Sequence, residues 1–202
     1  SLEKHGLTEN TIVILLSDNG AGIAPWGDNS PLRMGKSTFF EGGIRIPFAL
    51  KWPAKVAAGQ RYDKSVSSLD IFPTAVAAAG GELTANTPHD GVDLLPYLSG
   101  ANGGQPHEQL YWRASRNWAI RDGNWKLIFA ADRYWLYDLS KDIGEKNNLA
   151  AAQPDTVARL KATYDGWDKQ MMQPAWSPWL PKRHRSLPST ALTFVGSFRS
   201  NK

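Results

Sequence analysis

The chain has 202 residues, of which 42% are hydrophobic and 21% are charged, the balance of a globular protein with a packed core. The formal net charge of +4 is small, and the dense basic run Lys182–Arg185 is too short to indicate a nucleic-acid partner. The absence of cysteine excludes disulfides, thiolate metal ligands and a cysteine nucleophile within these residues. No apolar run approaches the roughly 18 residues of a membrane span. Neither nucleic acid nor a membrane is therefore a predicted partner.

The first residues have the pattern of a helix that is already in progress. Ser1–Leu7 is amphipathic, no signal peptide is visible, and the first residue is not Met. We therefore expect a fragment or a processed chain whose protein continues upstream of Ser1.

A buried strand is predicted next, over Thr11–Ser17, because this run is continuously apolar and rich in β-branched residues. Such runs are typical of strands buried on both faces, as in a parallel sheet covered by helices. Residues 20–43, rich in Gly, Pro, Asn and Ser, predict a long loop, and loops of that length are often functional. A second strand is predicted over Ile44–Lys51.

A helix is predicted over residues 68–79, with Asp70 near its N-cap, Pro73 in its first turn and Gly80-Gly81 at its end. Together these elements predict that residues 1–106 are the C-terminal part of a mostly parallel α/β sheet domain.

A smaller α+β domain is predicted over residues 107–172. Four short strand patterns indicate an antiparallel sheet: 110–113, 118–121, 125–129 and 133–138. Asp122-Gly123 supplies a hairpin turn signal, and a C-terminal helix follows Pro154. Its apolar face comprises Val157, Leu160, Tyr164, Trp167 and Met171. The last residues, 173–202, predict an extended tail.

Two oxygen ligands follow the first strand, at Asp18 and Asn19. Open α/β sheets place their sites at such strand ends, and hard oxygen ligands suit Ca²⁺ or Mg²⁺. The alternative is a plain turn stabilised by its own Asn and Asp side chains.

A lysine in the long loop, Lys36, is a candidate anion ligand, although a lone loop lysine is most often solvated surface. It is not part of a phosphate-binding P-loop, because the required glycine spacing is missing. The run Glu41–Pro47 begins with a glycine turn in which Glu41 and Arg45 can pair. We expect this turn to hold the Lys36 loop in place.

Three motifs occur in order over this stretch: Ser17–Gly20 (SDNG), Gly35–Thr38 (GKST) and Glu41–Pro47 (EGGIRIP). Further motifs follow at residues 52–53 (WP), 68–74 (SLDIFPT), 90–96 (DGVDLLP), 119–128 (AIRDGNWKLI), 136–139 (LYDL), 142–145 (DIGE) and 148–150 (NLA). The ordered set resembles the sulfatase family of the alkaline phosphatase superfamily, over roughly residues 7–170. Each motif alone is weak, whereas their shared order over this length is a strong signal.

The resemblance implies an alkaline-phosphatase-like α/β fold and the C-terminal portion of an enzyme that hydrolyses sulfate esters. Asp18 and Asn19 match two ligands of the active-site Ca²⁺, and Lys36 matches a catalytic lysine that binds the sulfate group. The family nucleophile is a formylglycine made from Cys or Ser, and its motif lies upstream of the matched region. The implied partners are a sulfated small molecule or carbohydrate and the N-terminal part of the same enzyme. The chain alone is expected to be inactive, and a periplasmic or secreted protein is favoured.

Two kinds of alternative stay open. A phosphonate or phosphate ester hydrolase of the same superfamily usually has His where Asn19 stands, because imidazole suits transition metals. The non-enzymatic alternatives are a catalytically inactive homologue and a tryptophan-rich carbohydrate-binding module. The four histidines are expected on the surface or in loops, outside any site: His5, His89, His107 and His184.

Overall fold

The computed structural model describes residues 1–22, 27–84 and 88–172 of the chain. The predicted extended tail, residues 173–202, lies outside the described residues. The chain forms two compact units, of which the first comprises Ser1–Asp18 and Ile46–Glu108. The second comprises Asn19–Arg45 and the described residues from Gln109 onward. Asn19–Arg45, called the site segment below, therefore belongs with the C-terminal strands. The predicted domain boundaries at residues 106 and 172 stay a prediction.

The first unit contains a two-stranded sheet. After a 3₁₀ turn at Glu3–His5, strand β1 (Val13–Leu16) pairs antiparallel with β2 (Phe48–Lys51). The expectation that β1 is buried on both faces is wrong for the described residues, since Val13 is 43% and Leu15 71% exposed. Successive side chains of a strand point to opposite faces, and among the described residues only β2 pairs with β1.

The predicted second strand is shorter than expected. Residues Glu41–Ile44 form one helical turn, α1, in the site segment, and the paired strand comprises Phe48–Lys51. Every strand pairing in the described residues is antiparallel. The mostly parallel sheet is thus not seen in this part of the chain and stays a prediction.

The predicted helix in the first unit is confirmed. A 3₁₀ turn over Ser68–Asp70 leads into α2 (Ile71–Ala78), with Pro73 in the first turn and Gly80, at φ 74°, just beyond the end. A further short helix, α3, spans Leu95–Leu98. The capping group is Ser67, whose side chain accepts a hydrogen bond from a backbone N–H of the turn.

The buried carboxylate of Asp70 joins three segments of the first unit through hydrogen bonds, and we call this its junction role. It accepts hydrogen bonds from the backbone N–H groups of Ser67 (2.7 Å) and Val92 (2.9 Å). The Nε2 atom of His107 lies 2.8 Å from Asp70 Oδ1, and the His107 side chain is only 8% exposed. His107 lies in a loop, as expected, but its imidazole is buried against Asp70 and is not a surface group.

The second unit contains the predicted antiparallel sheet. Its strands are β3 (Gln109–Ala114), β4 (Asn117–Asp122), β5 (Trp125–Ala130) and β6 (Arg133–Asp138), paired in sequence order. The predicted hairpin turn is confirmed at Gly123, whose φ of 56° is a conformation that glycine adopts readily.

Both faces of this sheet are covered within the second unit. Helix α4 (Pro154–Asp168) packs Leu160 and Tyr164 against one face, which confirms the predicted C-terminal helix. Tyr164 stacks on Trp118, with ring centroids 4.1 Å apart. On the other face, Phe40 of the site segment joins a core cluster with sheet residues. In the described residues no helix has the length and apolarity needed to cross a bilayer.

A stability prediction follows for Asp70→Ala. The loss leaves two backbone N–H groups and one imidazole without their acceptor, so the free energy of unfolding should fall by about 3 kcal/mol. Urea denaturation measures it. The matched control is Asp63→Ala, which removes a 72% exposed carboxylate paired with Arg61 and should change stability by less than about 0.5 kcal/mol. Equal effects of the two substitutions would contradict the junction role.

Candidate active site

The site segment begins where the first predicted ligands stand. Strand β1 is followed by Ser17, and Asp18 and Asn19 come directly after it. Asp18 is exposed and Asn19 is half-buried. Asp18 ends the first stretch of the first unit, and Asn19 opens the site segment of the second.

Backbone packing against α1 fixes the residue after Asn19. The N–H of Gly20 donates a 3.0 Å hydrogen bond to the carbonyl of Gly43. A Cβ atom at Gly20 would overlap the carbonyl oxygen of Gly42, so only glycine permits this approach. The Asn19 turn is thereby held against α1.

The turn that carries Lys36 is hydrogen-bonded to Ala21, two residues after Asn19. Lys36 N–H donates to the carbonyl of Ala21 (3.0 Å). The Asn29 side chain binds both backbone groups of Ala21, at 2.9 and 3.0 Å. The residues flanking Gly35-Lys36, Met34 (φ 61°) and Ser37 (φ 72°), have left-handed conformations, and such backbone strain concentrates at functional sites. Lys36 is exposed, and no carboxylate within the described residues pairs with its ammonium.

The predicted pair of Glu41 and Arg45 is confirmed, at 3.4 Å. Sequence reasoning missed its stronger partners. Lys126 of β5 places its Nζ 2.8 Å from Glu41 Oε1 and 2.9 Å from Glu145 Oε1. Glu145 Oε2 also accepts a 2.6 Å hydrogen bond from the backbone N–H of Glu41. We call Glu41, Lys126 and Glu145 the buried triad, because each is at most 2% exposed.

The electrostatics of the buried triad are asymmetric. Burial on its own would raise the pKa of Glu41, but the Lys126 ammonium, with Arg121 and Arg45, holds that pKa below its ordinary value. For Glu145, burial outweighs Lys126 and raises the pKa. Arg121 lies directly opposite Lys126 in the β4–β5 register, so the sheet presents two neighbouring cations to Glu41.

Arg33 makes a second attachment of the site segment to the sheet. Its guanidinium donates to the hydroxyl of Tyr137 (3.0 Å) and to the carbonyl of Glu145 (2.6 Å). It also lies over the rings of Phe40 and Trp135, 4.6 and 5.3 Å from their centroids. Burial raises the pKa of Tyr137 to about 12, so its hydroxyl stays neutral and can accept from Arg33.

The sequence contained one usable signal for the missed residues. Lys126 stands in a predicted strand between apolar neighbours, at a position whose alternation places it on a covered face. A lysine there requires a buried acid as its partner. Which acid it meets depends on contacts across 85 residues of sequence, which periodicity does not encode.

The donor set for a divalent cation is incomplete in this part of the chain. Among the described residues, no group of three or more His, Cys, Asp or Glu side chains could hold a metal ion. Asp18 and Asn19 offer two hard oxygen donors, whereas Ca²⁺ takes roughly six to eight. Their chemistry fits part of a calcium site and not the whole.

Comparison with known proteins identifies the family. The family model described as Sulfatase matches residues 1–81. Steryl-sulfatase of Rattus norvegicus is 39% identical over 239 residues, covering 89% of this chain and 41% of that protein. Arylsulfatase A of Homo sapiens is 35% identical over 192 residues, covering 77% and 37%. The chain belongs to the sulfatase family, and it spans about two fifths of the length of these relatives.

Solved structures agree on the fold. Ps i-CgsB superposes with a TM-score of 0.78 at 29% identity, covering 87% of this chain and 40% of that one. BT4656, solved with its substrate D-glucosamine-2-N,6-O-disulfate, gives 0.61 at 25% identity, covering 84% and 36%. The phosphonate monoester hydrolase of Agrobacterium radiobacter gives 0.65 at 23% identity, covering 84% and 37%, and shares the fold alone. The sulfatases among these structural relatives have the alkaline-phosphatase-like fold, and this chain superposes on part of it.

A stability prediction follows for the buried triad. Lys126→Met leaves Glu145 without a cation and Glu41 with only the half-exposed Arg45 as its ion-pair partner, so the free energy of unfolding should fall by about 3–5 kcal/mol at pH 7. In the wild type, the lowered pKa of Glu41 means that its contribution is present above the ordinary value of 4.5 and is lost as pH falls through the folded value. In the variant both acids should have raised pKa values, so the two stabilities should converge as pH falls.

Urea denaturation between pH 7 and pH 4.5 measures this convergence. The matched control is Lys141→Met, because Lys141 is 83% exposed and pairs with Asp138 on the surface. That substitution should change stability by less than about 0.5 kcal/mol. A pH-independent loss in Lys126→Met would contradict the charge argument.

Proposed function

We propose that this chain is the C-terminal portion of a sulfatase that hydrolyses sulfate esters. The observation that carries the proposal is the joining of the Asn19 and Lys36 turns, through Ala21 and through the Gly20–Gly43 hydrogen bond. These contacts hold an oxygen ligand and an exposed cation in one segment, as a site for a metal ion and an anion requires. Membership of the sulfatase family supports the same assignment.

The proposed metal is Ca²⁺, with Asp18 and Asn19 as two of its ligands. Both supply the hard oxygens that calcium prefers, and the remaining ligands would come from outside this chain. When bound, the ion supplies positive charge beside the transferring sulfuryl group. The chain's own part is to hold the Asn19 turn through Gly20, while Asp18 contributes an anionic oxygen.

Lys36 is the proposed catalytic residue of this chain. Its exposed ammonium would bind a sulfate oxygen and stabilise negative charge as the S–O bond breaks. The nucleophile would be a formylglycine in the N-terminal part of the same enzyme. We therefore expect the 202-residue chain alone to be inactive.

A sulfated carbohydrate is the proposed substrate class, with a sulfated small molecule as the alternative. One structural relative was solved with a disulfated glucosamine as its substrate. Tryptophans and tyrosines of α4 and of the sheet face that it covers pack against one another in the core of the second unit, as Tyr164 and Trp118 do. These aromatic residues therefore do not themselves argue for a separate carbohydrate-binding module.

The second candidate is a phosphonate or phosphate ester hydrolase, which a structural relative favours at the level of the fold. The ligand chemistry separates the two. Asn19 is a hard oxygen donor, whereas a histidine there would favour a transition metal. Asn19→His should therefore shift the metal preference toward zinc or manganese.

Turnover by the full-length enzyme tests the proposal. With Ca²⁺, a chromogenic aryl sulfate or a sulfated monosaccharide should be hydrolysed at least about 100-fold faster than the matched phosphonate monoester, because the metal and anion site select the transferring group. Faster turnover of the phosphonate would favour the second candidate. No turnover of any ester, with an intact upstream nucleophile motif, would favour an inactive homologue.

A kinetic prediction concerns Lys36→Ala in the full-length enzyme. Loss of one donor to the developing charge should lower kcat by on the order of 10²–10³. Lys36→Arg should restore little, since a broad guanidinium does not replace a point charge. Lys55→Ala, at another exposed lysine, is the control and should behave as wild type.

Metal content separates Lys36 from the metal ligands. Lys36→Ala should retain calcium, whereas Asp18→Ala should lose both calcium and turnover, because no neutral group replaces an anionic ligand. Elemental analysis of the purified variants measures this. A normal kcat/KM in Lys36→Ala would contradict the catalytic role of Lys36. Full calcium content in Asp18→Ala would contradict the assignment of Asp18 as a metal ligand.

A further inference from the structure

Lys126 is buried in the sheet and binds the site segment through Glu41. Its side chain is fully buried, and its ammonium binds Glu41, the first residue of α1, at 2.8 Å. Glu145 completes the attachment by accepting the backbone N–H of Glu41. Because α1 has no side-chain cap of its own at Phe40, these two acids and one base define where the turn sits on the sheet.

From α1 the constraint passes through the backbone to two of the three proposed site residues, Asn19 and Lys36. Gly43 accepts the N–H of Gly20, the residue next to Asn19. Gly42 donates a 2.8 Å hydrogen bond to the carbonyl of Arg33, at the start of the turn that leads to Lys36. A Cβ at Gly42 would overlap backbone carbonyls of this turn, so the backbones of α1 and the turn are in direct contact.

We propose that Lys126 is a positioning residue of the active site: its charge sets the place of α1, and through α1 the places of Asn19 and Lys36. The inference rests on the function proposed above. Tyr137 likewise positions Arg33 of the site segment, because its hydroxyl accepts a 3.0 Å hydrogen bond from the Arg33 guanidinium. Stability alone is a weak reason for a buried ammonium here, since apolar packing often serves a core equally well.

The experiment compares Lys126→Met with Leu160→Ala in the full-length enzyme. Leu160 is also fully buried, but it belongs to α4 and packs on the opposite face of the sheet. Well below both melting temperatures, Lys126→Met should lower kcat by about ten- to a hundred-fold, the effect of displacing a catalytic group by about 1 Å. KM should change little. Leu160→Ala should lower the melting temperature and keep the wild-type kcat.

A double-variant comparison shows whether the effect passes through Lys36. If Lys126 acts by placing Lys36, adding Lys126→Met to Lys36→Ala should cost far less than it does in the wild type, because coupled residues are not additive. Full additivity would overturn the positioning role through Lys36. Wild-type kcat in Lys126→Met would overturn the whole inference, whatever the change in stability.

Amide hydrogen exchange supplies a readout that is independent of turnover. Peptides within Asn19–Arg45 should exchange at least about tenfold faster in Lys126→Met, because local opening is no longer opposed by the buried triad. Leu160→Ala should leave them protected. If the wild-type enzyme hydrolyses no sulfate ester, the proposed function fails, and unchanged exchange in Lys126→Met would separately overturn the role of Lys126.

Tyr137→Phe keeps the test open if Lys126→Met does not fold. It removes only the hydroxyl that accepts from Arg33 and preserves the ring in the core. A smaller fall in kcat, about three- to tenfold, with faster exchange in the site segment is expected for the loss of one hydrogen bond to a charged group. Wild-type values of both would overturn the inference.

Discussion

The ammonium of Lys126, held between Glu41 and Glu145, is the interaction on which the site segment depends. Within the described residues of Asn19–Arg45, the one regular element is the helical turn α1, so regular hydrogen bonding does not define the conformation of those residues. The antiparallel sheet supplies the missing constraint, through Lys126 and Tyr137 on the covered face. Moving α1 away from the sheet would separate Glu41 from Lys126 and leave buried charges without their partner. The cost of that separation holds the short turn α1 in place. The antiparallel sheet thus holds the site segment in position.

Local signals predicted the regular part of the fold. Alternation and the Asp122-Gly123 turn gave β3–β6, and the apolar spacing after Pro154 gave α4. Where the pattern failed, contacts across the chain decided the structure. Gly42 and Gly43 are poor helix formers, yet α1 forms there because only glycine fits against the neighbouring carbonyls. The apolar run of β1 suggested burial on both faces, but one strand neighbour covers too little of it.

The candidate site was predictable only where it follows the order of motifs along the chain. Asp18, Asn19 and Lys36 were chosen that way, and their roles remain proposals. The residues that hold the site segment could not be chosen, because Glu145 meets Glu41 across 104 residues of sequence. A buried lysine in a strand signals that an acid is near, but only the folded chain identifies it. The burial of His107 on Asp70 was missed for the same reason.

The measurement that tests the central claim most directly is a crystal structure of the full-length enzyme with Ca²⁺ and inorganic sulfate. One oxygen each of Asp18 and Asn19 should lie about 2.3–2.6 Å from the ion. The Nζ of Lys36 should lie within about 3 Å of a sulfate oxygen, while α1 keeps its contact with Lys126. A calcium ion held without either Asp18 or Asn19, or a sulfate bound away from Lys36, would contradict it.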